Sequence, residues 1–346
     1  MKKITLFLIS VFVVTNLLTA QDLDQPGAYM NAMSSTHKEM DQKYMAYTSA
    51  AAHGKRARKV EKLRLQVLES INKTLDKISD LPYYKGDNSL RQSNIEYVKF
   101  CYTIFNEDYA KIVNTEEIAE QSFDEMQAQL LLREKVDEKL KLAVDKVNKA
   151  GKDFAAKYKV NIIDGGKDDL GEKMEQAGKV NKYYKPIYLI FFKCNWQDNA
   201  LTKALNENKV NDVEQARSAI IKYADEGLMA IEAIQSFEGD ASLKMACKQA
   251  LQAFKAIAEK ETPKITDYHL KKENFEKIKK AYEAKSQSDR SKEDVNAYNK
   301  AVAEMNAAVN ISNQADANAN NKRNEAYKSW EDAVKVFYDT HVPHYK

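Results

Sequence analysis

Apolar residues recur along the chain at intervals of three and four, with charged residues between them, a spacing that predicts amphipathic helices. Met33, Met40, Tyr44 and Tyr47 share one face of a helix over residues 28–53. Gly54 ends it, because a glycine just past the last periodic position suits the left-handed turn that closes a helix, and His53 lies in the final turn. Val60, Leu63, Val67, Ile71, Leu75 and Ile78 predict a second helix over 55–80. After a loop over 81–86, Asp87 or Ser89 caps a third helix that passes through Tyr97, Cys101, Ile104 and Phe105 to about residue 113. Asn114-x-x-Glu117 opens a fourth. Its seam, from Leu132 through Val136, Leu140, Ala143, Val147 and Ala150 to Phe154, is of coiled-coil type; nothing breaks the helix before Gly151, where it either ends or runs on to Tyr158.

The pattern then restarts. Residues 161–171, with Gly165-Gly166, read as a linker. Beyond them, residues 234–258 match 81–105 without gaps at an offset of 153. Gly86-Asp-Asn-Ser-Leu-Arg91 returns as Gly239-Asp-Ala-Ser-Leu-Lys244, and Leu75, Ile78, Tyr84 and Ile104 fall on Leu228, Ile231, Phe237 and Ile257. Arg64 falls on Arg217. A shared loop between two aligned apolar stripes predicts an internal duplication. The expected fold is therefore all-α: two tandem up-down helical-bundle repeats, 28–160 and 172–346, joined by the short linker 161–171. Pro186 is expected to kink or restart the first helix of the second repeat. That repeat carries an extra long helical hairpin over 265–339, turning at Ser286-Gln-Ser-Asp289, where Phe275, Ile278 and Tyr282 face Val295, Tyr298, Val302 and Met305. The hairpin either projects or folds back. Residues 310–324, rich in Asn and Ala, suit a thinly packed helix or a partner met through small side chains.

Composition narrows the class. The 346 residues include 10 Gly and 5 Pro, where about 24 and 17 are usual, too few for the turns of a β-sandwich or barrel. Lys2 and Lys3 precede an apolar stretch ending at Thr19-Ala20, which reads as a secretory signal peptide over 1–20, followed by a mature tail over 21–27. No later stretch is long enough to span a bilayer. Loss of Lys2 and Lys3 takes the net charge from +3 to +1, so no global attraction to nucleic acid is expected. Cys101, Cys194 and Cys247 are too few and too scattered for a disulfide framework and read as buried thiols, with room for one pair.

Candidate chemistry is sparse. Lys55, Arg56, Arg58 and Lys59 head a basic run that suits phosphate groups, but helix four begins with Glu116, Glu117, Glu120, Asp124 and Glu125, which would neutralise it if helices two and four run parallel. Glu107, Asp108, Glu116 and Glu117 flank the turn between helices three and four, where oxygen ligands could take a hard cation, although no EF-hand spacing is present. No histidine follows a Glu at the spacing of a di-iron bundle, and His341-Val-Pro-His344, in a tail containing Pro343, is a poor place for rigid ligands; no metal and no cofactor are expected. No nucleophile elbow, P-loop or dinucleotide motif appears. Tyr183, Tyr184, Tyr188, Phe191, Phe192 and Trp196 suit either a core or an aromatic recognition surface.

Four runs carry a resemblance: Ala52-His-Gly-Lys-Arg-Ala-Arg-Lys-Val-Glu-Lys-Leu-Arg64, Gly86-Asp-Asn-Ser-Leu-Arg91, Phe105-Asn-Glu-Asp-Tyr-Ala-Lys-Ile-Val-Asn-Thr-Glu-Glu117 and Ile187-Tyr-Leu-Ile-Phe-Phe-Lys193. In these the chain resembles an uncharacterised family of exported helical proteins of Bacteroidetes and leptospires, labelled surface proteins. The resemblance implies export from a Gram-negative cell to the periplasm or cell surface, and lends no activity or ligand. The expected function is a non-enzymatic scaffold or binding protein of the envelope, its partner an envelope protein or a surface glycan or lipid. The alternative is a periplasmic small-ligand or metal-binding bundle.

Overall fold

A computed structural model of the chain describes residues 23–54, 56–108, 123–162 and 169–346. The regular structure there is helical, with no strand. In chain order the helices are α1 (Pro26–Ala52), α2 (Ala57–Asp80), α3 (Ser89–Thr103), α4 (Phe123–Lys157), α5 (Asp169–Asn206), α6 (Val210–Ala233), α7 (Ser242–Ala256), α8 (Thr262–Glu283) and α9 (Lys292–His341). None is long and apolar enough to cross a membrane. The proposed signal peptide and the Gly165-Gly166 linker lie outside the described residues.

The chain forms two compact units. One reaches as far as Lys185 and also takes in Lys335–Lys346; the other is Pro186–Val334. The divide expected at 161–171 thus differs from the observed grouping of contacts. In the first unit α1 packs on α2, α2 on α3 and α3 on α4. The apolar stripes meet in one core containing Met33, Val67, Ile71, Ile78, Val98, Ile104 and Val136. Tyr29, Tyr84 and Phe154 close its end, with ring centroids 5.2–5.7 Å apart. The tyrosines bury their rings because their hydroxyls find carbonyls: Tyr29 donates to Pro82 at 2.8 Å and Tyr84 to Asp24 at 2.9 Å.

The offset of 153 recurs in local geometry. α2 and α6 occupy equivalent positions, as do α3 and α7. Each of α3 and α7 runs into one π-helical turn, Ile104–Asp108 and Ile257–Glu261. The turns before α3 and α7 match as well. Lys85 and Gly86 have φ of 49° and 81°, Glu238 and Gly239 of 52° and 92°. Two successive left-handed residues make the tight reversal that a glycine in second place accommodates without strain. Tyr84 and Asp87 exchange backbone hydrogen bonds, as do Phe237 and Asp240. The Asp87 and Asp240 carboxylates then accept the N–H of Ser89 and Ser242 at 2.8 and 2.7 Å, capping the next helix. Asp87 also takes Lys157 at 2.7 Å and the Tyr158 hydroxyl at 3.0 Å, tying the turn to the end of α4.

Several expectations are corrected. α5 passes through Pro186 without restarting, since Ile187 and Cys194 on its inner face are fully buried and packing holds the helix despite the lost N–H. Gly151 is no joint; it lies inside α4. Gly227, which marks no joint, lies in α6 where a Cβ would stand 3.0 Å from both Ile190 and Leu251, so its bare backbone permits the close approach of neighbouring helices.

In the second unit, α8 and α9 form the expected hairpin, with Tyr298 stacked on Tyr282 at 4.6 Å and set against Phe275 at 5.9 Å. The Asn/Ala stretch of α9 buries Ser312, Ala315 and Ala319, which continue a narrow stripe of small side chains from Ala308. The helix is thus thinly packed within its own chain there. Asp198 of α5, fully buried, accepts Arg323 of α9 at both oxygens and the Tyr327 hydroxyl at 3.3 Å.

Candidate functional site

At the start of α2, Arg56, Arg58 and Lys59 are exposed and form no ion pair among the described residues. Three cations at a helix N-terminus stand against the helix dipole. Lys55 lies outside the described residues, as do Glu116, Glu117 and Glu120 and the Asp124 side chain; of the expected neutralising acids only Glu125, exposed near the start of α4, is described. Arg64, by contrast, turns inward. Its guanidinium binds both Glu61 oxygens at 2.8 Å and donates to the Phe105 carbonyl in the π turn at 2.8 Å. Arg217 donates to one Glu214 oxygen, Oε2, at 2.8 Å. Of the acidic turn, Glu107 is exposed on the π turn; the Asp108 side chain lies outside the described set with Glu116 and Glu117.

A cluster set aside on sequence grounds is assembled at the far end of α1. His53 caps that helix, and Gly54 behind it takes φ of 59°. From residues nearly three hundred positions later, Asp339 on the last turn of α9 places its Oδ1 2.8 Å from His53 Nδ1. The chain then leaves the helix, buries Val342 and lays the His344 ring on the His53 ring, with centroids 3.7 Å apart and planes 16° from parallel. Two contacts fix the tail. The Tyr345 N–H donates to Ser49 Oγ at 3.0 Å, and Lys173 lies 5.9 Å from the Tyr345 ring centre. One ligand atom each from His53, Asp339 and His344 lies within 4.8 Å of the other two.

The electrostatics follow from that contact. The hydrogen bond from His53 holds the Asp339 carboxyl below its usual range, reinforced by the charges of His53, Lys335 and His344 against a small burial cost. An ionised carboxylate only accepts, so His53 Nδ1 carries the proton in this pair. The His53 side chain is 4% exposed, yet its Nε2 is buried with no hydrogen-bond partner. Ser49, one turn earlier, makes no catalytic triad with His53 and Asp339: its oxygen takes the Tyr345 N–H and is not bonded to the imidazole.

The chain matches no known protein family, no curated protein and no solved structure. The chemistry is therefore argued from the residues themselves.

The remaining candidates resolve into structure. Phe191 and Phe192 are buried, and Phe191 stacks on Trp330 at 4.3 Å. Tyr183 packs on Phe337 at 5.5 Å, much as Tyr29 packs on Phe154. Phe191 and Phe192 belong to the core, and Tyr183, Tyr184, Tyr188 and Trp196 are half-buried. Cys101, Cys194 and Cys247 are all free and buried, and burial pushes each thiol up to about 12. A cleft of about 570 Å³ beside the tail is lined by Asp169, Glu172, Lys173, Glu175, Lys179 and Pro343. Its walls are charged and it lacks the apolar floor that buries a small organic ligand.

His53, Asp339 and His344 were not legible as a site because their closest sequence spacing belongs to no ligand motif. The one local sign was a pair of histidines three residues apart, His341 and His344, of which the cluster includes only the second.

Proposed function

We propose that this is an exported, non-enzymatic helical scaffold or binding protein of the bacterial envelope or surface, grown by duplication of one helical unit. The duplication is supported by helices, π turns and left-handed turns repeating at one offset, which chance similarity in apolar spacing does not produce. The binding role rests on one observation above others. The basic start of α2 is exposed and its charges oppose their own helix dipole, which suits recognition of an anion. An envelope component bearing phosphate or carboxylate groups, whether protein, glycan or lipid, is the partner that chemistry fits. Nucleic acid is disfavoured by the near-neutral mature chain. The alternative reading is a small-ligand or metal-binding bundle through Glu107, Asp108, Glu116 and Glu117.

Export is tested by fractionating the producing cell and sequencing the N-terminus of the protein recovered. A mature chain beginning at Gln21 in the envelope fraction supports the reading; an intact chain in the cytosol refutes it. Binding is tested by crosslinking from a photoreactive residue at position 58 in living cells. A discrete adduct abolished by changing Arg56 and Lys59 to Glu supports the role, and an unchanged adduct pattern refutes it.

A further inference from the structure

We infer that His53, Asp339 and His344 form a binding site for one divalent transition-metal ion, with zinc the ion their donors suit best. This goes beyond the scaffold reading and is independent of export. The donor set is two imidazole nitrogens and one carboxylate oxygen, the borderline mixture that zinc prefers; calcium and magnesium favour oxygen alone. Three protein ligands leave a fourth position for water or for a group brought by a partner.

The distances suit the assignment. Ligand atoms around tetrahedral zinc stand roughly 3.3 Å apart, from bonds of about 2.0–2.2 Å. Here His53 and Asp339 are already 2.8 Å apart, and all three ligand atoms lie within 4.8 Å. The metal displaces the proton shared by His53 and Asp339 and opens that contact slightly. The His344 ring, now stacked, has to slide and turn so that a nitrogen converges on the same point. Its position allows this, for His344 is exposed and follows Pro343 in a non-helical tail, whereas His53 is held at a helix end with its side chain almost wholly buried. One rigid ligand, one at the end of a helix and one on an adjustable tail form a site that closes on its ion.

A second observation points the same way. Two imidazoles are stacked against one another beside a carboxylate. A cation in this cluster balances the Asp339 charge and draws both rings into use. It also joins the tail to the end of α1.

The test is titration of the full metal-free chain with zinc chloride by calorimetry, repeated with cobalt to read the visible bands of a tetrahedral site. The expected result is one ion per chain. Affinity falls in His344→Ala and Asp339→Asn by more than the ~10–100-fold that follows loss of a merely supporting partner. It is unchanged in His269→Ala, which is remote in sequence and absent from the cluster. His344→Ala alters an exposed tail residue, so a metal-free melting curve equal to that of the parent shows that it folds. Zinc then raises the melting midpoint of the parent and leaves that of the variant in place. Failure to bind one equivalent at about 100 µM zinc, or equal binding by parent, His344→Ala and Asp339→Asn, overturns the inference.

Discussion

Acidification will strike the first unit at His37. This side chain of α1 lies in the core with its Nε2 2.9 Å from Asn94 Oδ1. Asn94 spends its amide N–H on the Leu90 carbonyl at 2.8 Å, so its oxygen faces the imidazole and Nε2 must donate. Nδ1 is buried without a partner, and a second proton there would have nothing to bond. Burial accordingly lowers the His37 pKa to about 4, against a small opposing pull from Asn94. The folded value lies below the unfolded value of 6.5, so between the two the unfolded chain holds more protons. The stability contributed by keeping His37 neutral is complete above 6.5 and is lost as pH falls toward 4. Between pH 7.5 and 4.5 the loss is about 2.5 kcal/mol. Urea unfolding followed by circular dichroism across that range measures it. His37→Gln supplies a donor at nearly the same place but does not titrate, so its curve will lack that loss and otherwise follow the parent. His269, whose pKa burial and Lys272 also lower, contributes in the same direction to both proteins and cancels in the difference. Parallel pH profiles for parent and variant would refute the reasoning.

Other outcomes follow from the packing. Asp198→Asn leaves the largely buried Arg323 without its charge partner and will cost the second unit about 3 kcal/mol, read from urea unfolding; Asp198→Leu combined with Arg323→Met will recover most of it. Gly227→Val drives carbons into Ile190 and Leu251 and will cost roughly 1–3 kcal/mol, lowering the thermal midpoint, while Gly227→Ala sets the same collision against a helix gain of about 1 kcal/mol and will cost less. Gly86→Ala and Gly239→Ala, at left-handed positions with open space around them, will each lose about 1 kcal/mol in chemical unfolding, by similar amounts if the two turns are true counterparts. The three thiols will stay unreactive to a disulfide reagent at neutral pH in the native chain and all react in denaturant, because burial both shields them and disfavours the thiolate.

Helices were legible where an apolar stripe has a partner stripe nearby in sequence. Val67, Ile71 and Ile78 announce α2 because that face alone meets the core. The turn at Gly86 was legible because its backbone demands a particular residue. Signals that depend on distant partners were misread. Gly151 and Pro186 look like breaks, yet tertiary packing carries α4 and α5 through them. The two π turns leave no mark in hydrophobic spacing; Arg64, reaching a carbonyl in one of them, has meaning only once that turn is seen. The histidine cluster joins residues from opposite ends of the chain, so no local spacing could encode it.

The membership of residues 335–346 in the first unit has a consequence for the order of folding. A chain that enters its folding compartment N-terminus first delivers α1 to α4 early, but the strip that covers the end of α1 arrives only after all of Pro186–Val334. Through that interval Ser49 and His53 wait uncovered, and the first unit stays unfinished. Its completion is thus timed to the arrival of the tail, and a chain halted anywhere before residue 335 leaves an open helix end that is absent from the finished protein.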